Sequence, residues 1–183
     1  MGDDSGRDLH LPTAGTASAA AILVHPHPGM GGDRHHPLMV ALGEALSTAG
    51  VAALRLDLRD AGVPAASEVL AFEAARLREE IGVDRLVLVG YSWGSAVVAH
   101  TSAEGLWARV LVAPPVTMLD LPPQPEPALV LVPAHDQYGP PDEVQAALGG
   151  WPDTTIEVVD GCDHFLAGAV ARIADRTVGW VTA

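Results

Sequence analysis

The chain has 183 residues and a net charge of −13 at pH 7, from 23 acidic residues and 10 basic residues that are all arginine. At roughly 150 residues per domain, this length predicts a single domain over residues 1–183. The acidic balance argues against a nucleic-acid partner and against an anionic membrane surface, because both require a positively charged face. The single cysteine, Cys162, excludes a disulfide scaffold.

The N-terminal segment, residues 1–18, is expected to be poorly ordered or peripheral to the domain. Residues 13–24 are small and apolar, as in the middle of a signal peptide, but the residues before them are acidic where a signal peptide is basic. No stretch of the sequence is long and apolar enough to span a bilayer. We therefore expect a cytoplasmic protein that makes no membrane contact.

Short apolar runs without polar alternation predict strands that are buried on both faces, as in a parallel sheet. The four strongest runs comprise residues 20–24, 85–89, 109–113 and 128–132, and two weaker runs comprise residues 51–56 and 155–159. These runs together predict a sheet of about six strands.

Apolar residues at helical spacing lie between the predicted strands. They predict helices within residues 38–49, 70–81, 95–103, 142–148 and 166–181. Gly50 and Gly82 stand where a glycine would end the first two helices. This alternation predicts an α/β fold with a mostly parallel central sheet and helices on both faces. Functional residues should then follow the carboxyl ends of the strands.

Residues 90–94 read Gly-Tyr-Ser-Trp-Gly and stand between a predicted strand and a predicted helix. The pattern Gly-x-Ser-x-Gly in this setting is typical of a nucleophile elbow, in which a strained serine projects its hydroxyl from the sheet. Glycine is required at both ends because a Cβ atom would clash with the neighbouring strand and helix. The bare pattern is weak, and its position between strand and helix supplies the specificity. The sequence therefore predicts that Ser92 is a nucleophile.

A serine hydroxyl needs a base to take its proton, and the base needs an acid that orients it. His164 follows the last predicted strand and is the favoured base, since His100 falls inside a helix. Asp136 follows the strand 128–132 and is the favoured acid. Asp120, one strand earlier, is the competing acid.

An oxyanion hole is the third requirement for acyl transfer. The backbone N–H of Trp93, next to the nucleophile, is one expected donor. The second donor should come from the loop after the strand 20–24, where prolines 26 and 28 have no N–H to donate. His27 is the best candidate there, with Gly29 and Met30 behind it.

The motifs together resemble the alpha/beta hydrolase superfamily, and in particular the small, lidless hydrolases related to dienelactone hydrolase. The narrower resemblance rests on residues 25–28 (His-Pro-His-Pro) with Gly31 and Gly32. It runs from about residue 20 to the C-terminus and includes residues 55–59, 90–94, 133–138 and 163–165. The resemblance implies that Ser92, Asp136 and His164 are the catalytic triad and that His27 and Trp93 are the oxyanion donors.

Two departures from these relatives concern the substrate. Relatives carry Arg-Gly after the strand that ends near Asp57, whereas residues 59–62 here read Arg-Asp-Ala-Gly. Dienelactone hydrolase itself has a cysteine in the elbow where this chain has Ser92, which argues against that particular activity.

The predicted reaction is hydrolysis of a small carboxylic ester or thioester, without a metal or cofactor. Larger members of the superfamily insert a helical cap after the strand 109–113. Residues 114–127 occupy that place here and are interrupted by prolines, so we expect no cap domain and an open cleft. The residues expected to contact the substrate are His25, Gly29, Met30, Tyr91 and Met118, with Trp93 and Met118 as apolar walls.

Two alternatives use the same residues. A metal site could draw on His25, His27 and the His35-His36 pair, but the sequence lacks the further ligands of a metallohydrolase motif. A catalytically silent fold used as a small-molecule binding or interaction module is the other alternative, and the intact Ser, His and Asp set argues against it. The role of the His35-His36 pair and the formation of a homodimer stay open.

Overall fold

One central β-sheet organises the protein, and the computed structural model describes residues 6–183. The strands are β1 (Arg7–His10), β2 (Ala19–Val24), β3 (Val51–Leu56), β4 (Leu86–Tyr91), β5 (Leu106–Val112), β6 (Ala128–His135) and β7 (Thr154–Asp163). The helices are α1 (Pro37–Thr48), α2 (Val63–Ile81), α3 (Trp93–His100), α4 (Pro141–Leu148) and α5 (Val170–Val181), with one 3-10 turn at Pro28–Met30. Residues 1–5 of the predicted N-terminal segment lie outside the described residues.

The sheet has seven strands in the order β1-β3-β2-β4-β5-β6-β7. Strands β2 to β7 are parallel to their neighbours, and only β1 pairs in the antiparallel direction, with β3, among the described strands. Strands β2 to β7 are the six strands that the sequence predicts. The prediction of a mostly parallel α/β sheet is therefore confirmed.

Two apolar cores lie on opposite faces of the sheet. Alternate residues of β2 divide between them, since Ile22 and Val24 pack on one face and Ala21 and Leu23 on the other. Helices α2, α3 and α4 cover the first face, and α1 and α5 cover the second. Helices bury both faces of the sheet, and successive side chains of a strand point to opposite faces. Every position of β2 is therefore buried, which explains why this strand is apolar without interruption.

Strand β1 is an edge strand that the sequence analysis did not predict. Its four residues are only partly buried, and polar side chains attach it to the sheet. Asp8 forms an ion pair with Arg55 of β3, and Arg55 Nε donates to His10 Nε2 at 3.1 Å. Arg7 Nε also contacts a carboxylate oxygen of Glu73 on α2 at 2.8 Å. A strand held by charged pairs carries no apolar pattern, which is why periodicity overlooks it.

Residues 114–127 contain no helix, so no cap domain covers the carboxyl ends of the strands. The prediction on this point is confirmed. Within residues 6–183, no helix has both the length and the apolar character needed to cross a membrane.

Arg109 fastens residues 114–127, called here the Pro-rich segment, to α3, the helix that follows the predicted nucleophile. Its side chain is fully buried, and its guanidinium donates to the carbonyls of Val98 and Thr101 at the end of α3. The other side of the guanidinium binds Gln124 at 3.0 Å and Glu126 at 2.9 Å. The cation thus satisfies carbonyls that a helix end leaves without partners.

Replacing Arg109 with methionine should lower the free energy of unfolding by about 2–4 kcal/mol, because it leaves buried carbonyls and Glu126 without their partner. The matched control is Arg176→Met, which breaks the half-exposed pair with Glu157 and should cost less than about 1 kcal/mol. Urea unfolding of both variants checks this. Equal losses in the two variants would contradict the role given to Arg109.

Candidate active site

The turn between β4 and α3 holds Ser92 in a strained backbone conformation. Its φ of 54° and ψ of −119° lie in a region that residues other than glycine rarely adopt. The Ser92 N–H donates to the Val112 carbonyl at 2.9 Å. The buried Ser95 hydroxyl reaches the carbonyls of Gly90 and Val112 at 3.0 and 2.9 Å. These bonds tie the turn to the end of β5 and hold the Ser92 side chain at the edge of the sheet.

Glycines on either side of Ser92 allow this turn to form. A Cβ atom on Gly90 would overlap the backbone of Gly94, and a Cβ atom on Gly94 would overlap the carbonyls of Val24 and His25. All of these neighbours are backbone atoms, which cannot rotate away. The close approach of α3 to the ends of β4 and β2 therefore requires glycine at both positions, as the sequence analysis expected.

Ser92, His164 and Asp136 form one continuous chain of hydrogen bonds. Ser92 Oγ lies 2.8 Å from His164 Nε2, and His164 Nδ1 lies 2.8 Å from Asp136 Oδ2. A carboxylate only accepts hydrogen bonds, so Nδ1 carries the imidazole proton and Nε2 presents its lone pair to the serine hydroxyl. The structure brings together the three residues that the sequence singled out. Asp120, the competing acid, is exposed on the Pro-rich segment.

Buried groups hold the histidine and the carboxylate in place. Asp136 is almost fully buried, and its Oδ1 accepts the N–H groups of Tyr138 at 2.8 Å and Gly139 at 3.1 Å. The Tyr91 hydroxyl donates to the His164 carbonyl at 2.7 Å. Burial raises the pKa of Tyr91, and the nearby carboxylates of Asp136 and Asp163 raise it further. The tyrosine therefore remains a hydrogen-bond donor through the neutral range.

The loop after β2 presents few free N–H groups to the cleft. The Gly29 N–H donates to the His27 ring at 3.0 Å, and the Met30 N–H donates to the His27 carbonyl at 3.0 Å. Of the three candidates for the second oxyanion donor, two are therefore already engaged, which leaves His27. Trp93 is the first residue of α3, so its N–H has no acceptor within the helix. Both His27 and Trp93 line the cleft.

A cleft of about 520 Å³ opens above Ser92 and His164, and loops that follow all six parallel strands line it. Met30, Met118 and Phe165 form an apolar rim with largely exposed side chains. The size is ordinary for a small-molecule site. Trp93 forms part of the wall, with its ring edge-on to that of His27 at 5.7 Å.

Comparison with solved structures finds the same architecture in bacterial hydrolases. An alpha/beta serine hydrolase homologue from Coxiella burnetii superposes with a TM-score of 0.83 and 22% identity over 94% of this chain and 89% of that chain. A serine hydrolase without a lid from Xanthomonas campestris superposes with a TM-score of 0.83 and 21% identity over 96% of this chain and 86% of that chain. Dienelactone hydrolase from Anabaena variabilis superposes with a TM-score of 0.75 and 17% identity over 95% of this chain and 89% of that chain.

The protein has the alpha/beta hydrolase fold. The suspected superfamily fold and its lidless form are thus confirmed. No protein-family model matches the chain, and no curated protein matches its sequence.

Within the alpha/beta hydrolase fold, two residues predicted to contact the substrate are not among those that line the cleft. His25 is buried and lies behind the cleft, where its Nε2 accepts the Leu58 N–H at 2.9 Å and its Nδ1 lies 2.6 Å from the Pro26 carbonyl. It joins the loops that follow β2 and β3. Gly29 does not line the cleft either, and its N–H donates to the ring of His27, which does. Met30, Tyr91 and Met118 do line the cleft.

Three further aromatic residues, which the sequence analysis did not assign to the cleft, also line it. The Tyr138 ring stands edge-on to His164 at 4.8 Å, and Phe165 does so at 5.8 Å. His36 packs against Tyr91 and accepts the Leu38 N–H at the start of α1. Burial lowers the pKa of His36, against the opposing charge of Asp33. The available signal was position in the chain, since Tyr138 stands two residues after Asp136 and Phe165 one residue after His164.

The histidines at positions 25, 27, 35 and 36 are the sequence's candidates for a metal site. Among residues 6–183, no three His, Cys, Asp or Glu side chains group as metal ligands. His36 instead caps α1, which accounts for one member of the His35-His36 pair.

Adding a methyl group at Gly94 should disrupt the elbow. Gly94→Ala should lower the free energy of unfolding by more than about 3 kcal/mol, because overpacking against backbone cannot relax. Gly179→Ala is the matched control: it also lies in a helix, with nothing near its added Cβ, and should stabilise by about 0.5–1 kcal/mol. Thermal and urea unfolding measure both. A harmless Gly94→Ala would contradict the close approach of α3 to β2.

Proposed function

We propose that this protein is a serine hydrolase that cleaves small carboxylic esters or thioesters through an acyl-enzyme intermediate. The observation that carries the proposal is the hydrogen-bonded chain from Ser92 through His164 to Asp136 at the floor of the cleft. A nucleophile, a base and an orienting acid in mutual contact are the requirement for acyl transfer. The hydrolase descriptions of the structural neighbours agree with it.

In the first step, His164 Nε2 takes the Ser92 proton while Oγ attacks the carbonyl carbon of the substrate. The N–H groups of Trp93 and His27 stabilise the negative charge that develops on the carbonyl oxygen. His164 then gives its proton to the leaving alcohol or thiol as the bond to the acyl carbon breaks. The product of this step is an acyl group on Ser92.

In the second step, water attacks the acyl carbon and His164 accepts its proton. The proton returns to Ser92 Oγ as the acid product leaves. Asp136 keeps the imidazole in the productive tautomer and stabilises its charged form throughout. Neither step requires a metal or a cofactor. The partner is a small molecule, and the acidic surface still argues against nucleic acid. A cytoplasmic location stays a prediction, and the formation of a homodimer stays open.

Removing the nucleophile or the base should abolish turnover of chromogenic esters. Ser92→Ala and His164→Ala should each reduce kcat/KM by on the order of 10⁴–10⁶-fold, because the members of one catalytic unit are not additive. Asp136→Asn should be about ten- to a hundredfold milder. Asp120→Asn is the matched control and should behave as the wild type.

A fluorophosphonate probe separates this proposal from a catalytically silent binding module. An active hydrolase should be labelled once, at Ser92, and the Ser92→Ala protein should remain folded and unlabelled. A wild-type protein that neither reacts with the probe nor hydrolyses esters would support the binding module. Full turnover by Ser92→Ala would contradict an acyl-enzyme mechanism that uses Ser92 as the nucleophile.

The lack of a cap domain should limit the length of the acyl chain. An open cleft buries little of a long chain, and each buried CH₂ contributes only about 0.8 kcal/mol. Acetyl and butyryl esters should therefore be preferred, with no activation at lipid interfaces. The test is kcat/KM across p-nitrophenyl esters in a sample shown to be monomeric. A steep rise from acetyl to decanoyl would refute the open cleft.

A further inference from the structure

The cleft contains an unusual distribution of charge. Within residues 6–183, Asp60 is the only carboxylate that lines the cleft, and no arginine lines it. The sequence contains no lysine at all. A substrate that enters the cleft therefore meets a negative charge and no permanent positive charge.

Asp60 follows β3 and stands at the cleft mouth with its side chain 53% exposed. Its Oδ1 lies 3.7 Å from His27 Nε2, which is too long for a hydrogen bond. The carboxylate oxygens are therefore available to a ligand. His27 in turn packs edge-on against Trp93, the residue next to Ser92. The side chain of His27 therefore stands between the Asp60 carboxylate and Trp93.

Nearby arginines do not offset this charge. Arg34 is paired with Asp57, and Arg55 is paired with Asp8. Arg59, the neighbour of Asp60 in the chain, is exposed and does not line the cleft. A carboxylate on a substrate would thus lose part of its hydration without gaining a cationic partner, which is unfavourable.

We propose that Asp60 is a specificity-determining residue that selects substrates bearing a positive charge, accepts neutral ones and rejects those bearing a carboxylate. This inference rests on the proposed ester hydrolysis. The substrate class that fits best is an ester or thioester with a cationic group on an apolar body, such as a trimethylammonium group. The apolar rim suits such a group, and so does the largely exposed ring of Phe165 within it, since aromatic faces attract cations.

Two series of substrates test the inference, one for each side of the scissile bond, and each contains a cationic compound, its neutral isostere and an anionic analogue. The first compares acetylthiocholine with S-(3,3-dimethylbutyl) thioacetate and 3-(acetylthio)propanoate. The second compares p-nitrophenyl esters of N,N,N-trimethyl-β-alanine, 4,4-dimethylpentanoic acid and succinic acid. In each series the cationic and neutral members share one shape and differ in charge, and the anionic member carries a smaller carboxylate at the same position. Comparing variants on the same substrates cancels differences in intrinsic reactivity.

In Asp60→Asn, the cation-to-neutral ratio of kcat/KM should fall about three- to fivefold in at least one series, the range of a partly exposed charge pair. The anion-to-neutral ratio should rise by a similar factor. Added salt at 0.5 M should weaken both effects in the wild type because it screens exposed charges. Asp175→Asn removes the same charge from the exposed face of α5 and should leave both ratios unchanged.

Ligand binding is measured apart from turnover, so that the proposal of ester hydrolysis and the proposal of charge selectivity can be refuted independently. Choline and its neutral isostere 3,3-dimethylbutan-1-ol are titrated while the Trp93 indole N–H signal is followed by NMR, with Trp93→Phe assigning the signal. Choline should bind more tightly than the alcohol to the wild type, and the difference should shrink in Asp60→Asn.

If the wild type hydrolyses no ester but binds choline through Asp60, the hydrolase proposal fails and the charge selectivity stands. If it hydrolyses esters with ratios that Asp60→Asn leaves unchanged in both series, the charge selectivity is overturned and the hydrolase stands. An equal change in Asp175→Asn would assign the effect to net charge and would likewise overturn the role of Asp60.

Discussion

The approach of α3 to the ends of β2 and β4 is so close that it leaves no space for a side chain at Gly90 or Gly94. That approach forces Ser92 into a positive φ and directs its hydroxyl into the cleft. The strain persists because the surroundings determine it: Ser95 bonds the turn to β5, and buried Arg109 holds the far end of α3. A conformation that costs free energy locally is thus maintained by packing and hydrogen bonds elsewhere.

The groups behind Ser92 come from three strand ends that lie far apart in the sequence. Parallel strands carry their carboxyl ends to one edge of a sheet, so the loops after β4, β6 and β7 meet there. Backbone N–H groups fix the Asp136 carboxylate, and the Tyr91 hydroxyl fixes the loop of His164. Each member of the chain is therefore oriented by a neighbour that takes no part in the proposed chemistry, which is the condition for preorganised catalysis.

The cleft combines an apolar rim with one exposed carboxylate at Asp60, and this combination bears on the substrate more than the hydrogen-bonded chain does. The same chain of serine, histidine and aspartate serves esters, thioesters and amides alike. Discrimination between substrates must come from the walls of the cleft. There, Met30, Met118 and Phe165 supply apolar contact area but no directional polar contact. A charge in a cleft with apolar walls is the feature that can separate substrates of the same shape.

Local patterns in the sequence determined the six parallel strands, the elbow around Ser92 and the residues most suited to act as base and acid. Burial on both faces makes such strands apolar, and a tight turn requires glycine, so both leave a mark within a few residues. Only the tertiary structure decided that His164 meets Asp136 rather than Asp120, that β1 pairs with β3 and is joined to it by a charged pair, and that His25 supports a loop instead of lining the cleft. Those outcomes depend on contacts between segments distant in the chain, and polar contacts of that kind impose no periodicity on the sequence.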